Sequence, residues 1–317
     1  MPSAPPSPDR AVLLMALGAP TGLDDVGDFL KEVRGGRTTP PDLVAEFAER
    51  YRRIGGRSPL LDVSRAQARA VESRLAALGS PRRCAVGMRH GLPRIEEALR
   101  ELVAGGAREV TGVCLSPYYS DWSVGGYLAA LDRAADRIEP RIRVRPVQSW
   151  NRDPALIAAF REKIVQGLRT LAGQGVTDPV LLFTAHSLPG VTDPEREPYV
   201  LQLAETRRAL QAQFPSHRSR MAFQSVGRRA GDWLGPDVGT VLAELGGSGE
   251  RGVLVIPYGF ISDNLEILYD VDIELRTEAQ RRGVAFARTE SLNDAPGLAE
   301  AVANAIVDAE SAGDSGP

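Results

Sequence analysis

Three histidines occur in this 317-residue chain, and one of them is placed for chemistry. The run VLLFTA leads into His186 and then Ser187-Leu188-Pro189-Gly190, so the imidazole is expected at the carboxyl end of a β-strand. Open α/β sheets gather their ligands at those ends. An imidazole there accepts a proton near neutral pH or binds a metal through its neutral nitrogen. A capping or packed histidine fits the same position. His90, in GMRHGLP, holds a similar place in an earlier segment and is expected to pack or to support a site from behind. His217, in PSHRSR, reads as a surface loop.

The segment SDNLEILYDVDIELRTEAQRR carries Glu266, Asp270 and Glu274 at intervals of four. On an α-helix, with Glu266 at zero, these acids fall at about 0 to 80° and Ile267, Val271 and Leu275 at about 100 to 180°. Asp272 and Arg276 fall near 240 and 280°, an i,i+4 ion pair suited to solvent. The acid stripe therefore runs beside the apolar face. Like charges four apart cost roughly 0.2 to 0.5 kcal/mol per exposed pair. The stripe is expected to line a cavity or meet a cation. Two plainer readings compete: a capping box of Asp263 with Glu266, and a solvated face if the helix is irregular.

A third group is basic. The segment VRGGRTTPPDLVAEFAERYRRIGGRSPL holds Arg34, Arg37, Arg50, Arg52, Arg53 and Arg57. Arg50, Tyr51 and Ser58 lie where a helix ends beside Gly55-Gly56, a backbone able to approach a ligand. Guanidinium forks suit carboxylates and phosphates. Arginine is abundant throughout and lysine nearly absent, so a solvated surface is the competing explanation.

These residues need a frame. Short aliphatic runs at Ala11 to Leu17, Glu109 to Leu115, Pro179 to Ala185 and Gly252 to Pro257 alternate with segments of helical period such as Ile95 to Val103 and Leu201 to Gln213. Such alternation implies an α/β fold with parallel sheets. The stretch from Ala98, ALRELVAGGAREVTGVCLSPYYSDWSVGGYLAALD, parallels that from Thr240, TVLAELGGSGERGVLVIPYGFISDNLEILYDVD. In each, a helix ends at glycines, a buried strand closes on Pro-Tyr, and another helix follows. Two similar domains are expected, residues 11–150 and 151–310, with a cleft between them. Residues 1–10 and 311–317 are expected to be a disordered arm and a flexible tail.

Composition narrows the function. Apolar residues make up 43% and charged residues 25%, enough for a sizeable core, and the net charge of −3 gives no electrostatic reason for a nucleic-acid partner. Cys84 and Cys114 are the only cysteines and lack metal-binding spacing. No run nears the roughly 20 apolar residues of a membrane span, and the proline-rich start is unlike a signal peptide, so a cytoplasmic protein is expected. Neither a phosphate-binding glycine loop nor a GxSxG elbow occurs.

With these residues in view the chain resembles the ferrochelatases. The resemblance rests on FTAHSLPG at Phe183, QSVGRRAGDWLGPDV at Gln224, PYGFISDNLEILYDVD at Pro257, GMRHGLPRIEEAL at Gly87 and SLNDAPGLAE at Ser291, and runs from MALGAP at Met15 to the last helix. It implies two Rossmann-like, chelatase-type domains and insertion of ferrous iron into a porphyrin, a step of haem biosynthesis. On that resemblance His186 and Glu266 hold iron and take the pyrrole protons. Asp270 and Glu274 feed metal in or lead protons out, and Arg34, Arg50, Tyr51, Ser58 and Tyr127 contact the substrate or a peripheral divalent cation. The nearest likeness is to the coproporphyrin III enzymes of Gram-positive-type bacteria, whose four-propionate substrate suits the arginine-rich arm.

Two departures stand out. Leu17 replaces a tyrosine of that subgroup that ligates product iron, and Asn264 replaces a histidine. Two cysteines cannot supply the four thiolates of the iron–sulfur cluster found in some relatives. A protoporphyrin IX enzyme, a non-catalytic tetrapyrrole carrier, and a chelatase for another ring or metal are the alternative functions. A monomer is expected, with other haem-pathway enzymes as its protein partners.

Overall fold

The computed structural model describes residues 9–226 and 232–314. Parts of the expected arm and tail, and the GRRAG stretch of the motif at Gln224, lie outside them. Among the described residues the strands form two four-stranded parallel sheets.

The first sheet has the order β2-β1-β3-β4, built from β1 (Arg10–Ala16), β2 (Arg83–Met88), β3 (Glu109–Cys114) and β4 (Arg143–Val147). The second repeats it as β6-β5-β7-β8, from β5 (Val180–His186), β6 (Ser219–Gln224), β7 (Gly252–Ile256) and β8 (Ala285–Arg288). The aliphatic runs read as strands because a parallel sheet covered on both faces wants continuous apolar sequence. In each sheet the order reverses beside the first strand, between β1 and β3 and between β5 and β7. Crevices for ligands form at such points, outside the carboxyl ends.

The helices are α1 (Val26–Val33), α2 (Pro41–Arg53), α3 (Leu60–Ala77), α4 (Ile95–Ala104), α5 (Gly126–Ala135), α6 (Pro154–Gly173), α7 (Pro198–Gln211), α8 (Val238–Gly247), α9 (Arg276–Arg281) and α10 (Pro296–Asp314). Proline opens α2 and α7, where its missing N–H costs nothing. Asp237 caps α8, accepting from the N–H groups of Gly239 and Thr240 at 2.9 and 3.2 Å.

The sequence repeat is a structural one. β3 and β7 each close on Pro-Tyr, with Tyr118 and Tyr258 fully buried, and each leads to a π-helical segment, Asp121–Gly125 and Glu266–Leu275. One difference between the halves bears on the site: Tyr119 in the first half becomes Gly259 in the second. A Cβ on Gly259 would lie 2.6 Å from the backbone of Ala185, and its N–H donates to the Thr184 carbonyl at 3.1 Å. The chain leaving β7 crosses the end of β5 there, and only glycine permits the approach.

The division of the chain differs from the expected halves. One unit contains the residues up to Ala155 and those from Asn293 onward; the other is Leu156–Leu292. The last helix therefore belongs with the first sheet, where α10 packs on α3, β3 and β4. Buried apolar residues of α10 such as Leu298, Val302 and Ile306 pack there, and Glu310 adds a polar tie. That carboxylate is buried against Arg82 at 2.8 Å, and Thr111 Oγ1 donates to it at 3.2 Å. A charge taken from water needs such partners, and they sit on β3 and beside β2. The helix also extends through Asp314, so the first residues of the expected tail are helical, and β1 already includes Arg10 of the expected arm.

Candidate metal and proton-transfer site

His186 closes β5, and Glu266 opens the π-helix reached from β7. The switch point of the second sheet brings them together: His186 Nε2 lies 3.3 Å from Glu266 Oε1, with the two side chains 34% and 30% exposed. His186 Nδ1 meets the Ser187 carbonyl. A carbonyl only accepts, so Nδ1 carries the hydrogen, and in the neutral ring the lone pair for a proton or a metal lies on Nε2, toward Glu266. Tyr199 on α7 donates its hydroxyl to the His186 carbonyl at 3.1 Å, fixing the backbone at the strand end. Burial works against the imidazolium. The charge and hydrogen bond of Glu266, the Ser187 carbonyl and the charge of Asp270 outweigh it, so His186 titrates above an ordinary histidine.

The acid stripe holds, with different winding. Glu266–Leu275 is a π-helix rather than the α-helix of the wheel. Hydrogen bonds from i to i+5 open each turn but keep residues four apart as neighbours, and such segments concentrate at functional sites. Glu266 and Asp270 are half-buried and Glu274 is exposed, so the acids lead outward from the histidine. Ser225 donates to Asp270 Oδ2 at 2.6 Å from a left-handed backbone, φ 60°, a conformation that non-glycine residues adopt at a cost. Sequence reading assigned Ser225 no role. Its place just beyond the carboxyl end of β6 was the available signal.

The capping-box explanation of Glu266 does not hold. Asn264 Oδ1 accepts from the Ile267 N–H at 3.0 Å, while Asp263 accepts from Ser291 Oγ at 2.7 Å. Asn264, the departure from the family histidine, is thus the residue that caps this turn. Asp272 is less solvated than the wheel implied. Arg276 stands 3.6 Å from it, but Arg288 grips both its oxygens at 2.8 Å and ties the π-helix to β8.

The other expected residues lie on the first unit. Leu17 is exposed just past β1, at that sheet's own switch point. Gly18 follows at φ +92°, and a Cβ there would strike the His90 carbonyl. His90 is half-buried, with its Nδ1 3.5 Å from Glu32 Oε1. His217, by contrast, lies on the second unit between α7 and β6, with Ser216 Oγ 3.3 Å from its Nδ1. Arg34 ends α1, and its buried Nε has no hydrogen-bond partner among the described residues. Arg50 pairs with Glu46 at 2.8 Å, Arg57 with Asp62 at 3.2 Å, and Arg52 with Glu49. Much of the arm's charge is therefore answered locally. Ser58 Oγ accepts from the Leu60 N–H at 3.2 Å. Tyr51 and Tyr127 are buried, the latter under the Arg89 guanidinium, 5.3 Å from its ring centroid.

Among the described residues no three His, Cys, Asp or Glu side chains form a closed metal set. His186 and Glu266 are two adjacent groups able to donate to a metal.

Comparison with known proteins agrees at two levels. Over 96% of this chain the fold matches the cobalt complex of the sirohydrochlorin chelatase SirB from Bacillus subtilis subspecies spizizenii, with a TM-score of 0.58, 15% identity and 97% of that chain covered. The molecule has a chelatase fold. The ferrochelatase family model matches residues 9–310. Ferrochelatase of Herpetosiphon aurantiacus is 34% identical over 295 residues, 93% of this chain and 97% of that protein. Coproporphyrin III ferrochelatase of Oceanobacillus iheyensis is 30% identical over 299 residues, 93% of this chain and 95% of that one. This chain belongs to the ferrochelatase family. None of its described helices is long and apolar enough to cross a membrane.

Proposed function

We propose that this chain inserts ferrous iron into coproporphyrin III. The observation carrying the proposal is the His186–Glu266 pair at 3.3 Å, with Nδ1 of the imidazole on the Ser187 carbonyl and Nε2 facing the carboxylate. Insertion strips water from Fe²⁺, removes two pyrrole protons and bends a flat macrocycle. Such distortion costs about 1 to 5 kcal/mol, supplied by binding elsewhere on the substrate. Glu266 and His186 replace water on the ion, and as it passes to the ring nitrogens their freed lone pairs accept the two pyrrole protons. Asp270 and Glu274 carry charge between this pair and solvent. By resemblance the propionates fall to Arg34, Arg50 and Ser58, with Tyr51 and Tyr127 as further substrate contacts, and guanidinium forks suit a substrate rich in carboxylates. Leu17 rules out tyrosinate ligation of the product from its position. The protein is proposed to work in the cytoplasm as a monomer.

Initial rates with coproporphyrin III, protoporphyrin IX and sirohydrochlorin test the assignment. The highest kcat/KM is expected for coproporphyrin with Fe²⁺. A higher value for protoporphyrin overturns the substrate, preference for sirohydrochlorin overturns the ring, and a Soret shift that stops at one equivalent makes the chain a carrier. Arg34→Ala is expected to raise KM for coproporphyrin roughly tenfold or more, the loss of one charged hydrogen bond, with kcat little changed. An equal effect on a porphyrin without carboxylates counts against propionate binding.

The raised pKa of His186 sets a pH dependence. In the metal-free protein the imidazolium–carboxylate pair contributes stability that is complete below the ordinary imidazole value of about 6.5 and is lost as pH rises through the higher folded value. A metal needs the same lone pair, so its affinity runs the other way. Cobalt(II) affinity is expected to rise about tenfold per pH unit up to the folded pKa and then level off. Titration calorimetry between pH 5.5 and 8.5 checks this, and a flat profile contradicts it.

A further inference from the structure

In the second sheet β5 and β6 run side by side with Thr184 opposite Ala222 and His186 opposite Gln224, and the Ser187 N–H donates to the Gln224 carbonyl at 2.9 Å. Residues two apart on a strand share a face, and so do register partners on its neighbour. Thr184, His186 and Gln224 therefore stand on one face. Leu182 and Ala222, on the same alternation, pack with Ile267 and Val271 of the π-helix and with Val241 and Leu242 of α8. Those two elements cover this face.

Thr184 and Gln224 are 0% and 1% exposed. Thr184 Oγ1 and both amide atoms of Gln224 nevertheless have no hydrogen-bond partner among the described residues. Buried polar groups are nearly always satisfied, and leaving them otherwise is costly. Packing alone would place valine and methionine here. Instead a hydroxyl and an amide lie beneath the metal and proton pair, and the next residue, Ser225, holds Asp270 of the acid path.

We propose that Thr184 and Gln224 form an internal water site beneath His186 and act as positioning residues for the His186–Glu266 pair. A buried water makes about three hydrogen bonds. The Thr184 hydroxyl and the Gln224 amide supply two, and the remaining one goes to the pair, holding the imidazole and carboxylate at the spacing the incoming ion needs. The inference rests on the ferrochelatase reading of that pair.

The test uses the full chain with Gln224→Met, Thr184→Val and the double variant. The double variant replaces both polar groups by apolar ones of similar shape and displaces the water, so its melting temperature is expected to hold or rise. Turnover is expected to move the other way. With Fe²⁺ and coproporphyrin III, kcat should fall about 10- to 100-fold, the usual loss when the partners behind a metal ligand are removed, with KM for porphyrin unchanged. The visible absorption of bound cobalt(II) should shift as its ligands reorient. A double variant with full kcat and an unaltered cobalt spectrum overturns the water site. So does one whose melting temperature and kcat fall together while the spectrum stays fixed, since that reports packing alone. The underlying reading fails separately, if the unsubstituted protein neither binds cobalt(II) at His186 nor metallates a porphyrin.

Discussion

His186→Ala is expected to leave a folded protein that no longer turns over. The side chain is one-third exposed, and its partner is a single half-buried carboxylate. Pairs of that exposure contribute about 0 to 1 kcal/mol, so the melting temperature should move little. The chemistry should not survive. A positioned proton acceptor contributes roughly 10²- to 10⁴-fold, and this group is proposed to serve as metal ligand as well. Glu266→Gln is the sharper version, because it preserves shape and removes only the charge. Its kcat should fall in the same range while porphyrin binding, read from the Soret band, persists. Either variant retaining more than a tenth of the normal rate would remove these two residues from their assigned roles.

Glu310→Ala is expected to give the largest loss of stability. Glu310 lies in the last helix, buried against Arg82, with Arg10 Nη1 3.6 Å away and Thr111 donating to it. Removing one member of a buried pair strands the other in low dielectric, at a cost of about 3 to 5 kcal/mol. For a unit of this size that corresponds to a fall in melting temperature on the order of 10 °C. Calorimetry should show it, and Glu310→Gln, which retains hydrogen bonding without charge, should fall between. A shift under about 2 °C for Glu310→Ala would mean that α10 is held by its apolar contacts alone.

Much of this molecule is legible in its residues. The aliphatic runs are the strands, because a buried parallel sheet tolerates few polar side chains. The resemblance between the stretches at Ala98 and Thr240 is a real duplication of strand order. His186 stands at a strand end, and the acids four apart share a face. Other features were hidden for identifiable reasons. A π-helix differs from an α-helix by hydrogen-bond register, which side-chain spacing of four does not distinguish. The capping pattern at Asp263 was satisfied on paper, yet Arg288 and Ser291 claim that carboxylate and leave the cap to Asn264. The place of α10 is a long-range matter, since nothing near Glu310 in the chain announces Arg82 as its partner.

Residue type and local period were enough to establish an α/β chain of two related halves, an imidazole at a strand end and a line of carboxylates. These are properties of short segments, set by which side chains tolerate burial and by how a strand or helix repeats. The meeting of His186 with Glu266, which family resemblance implied but no local pattern contains, is decided by the tertiary structure. Their segments come together because the second sheet reverses between β5 and β7 and because Gly259 lets the chain leaving β7 pass against Ala185. That passage depends on space between distant backbones, which no local pattern records.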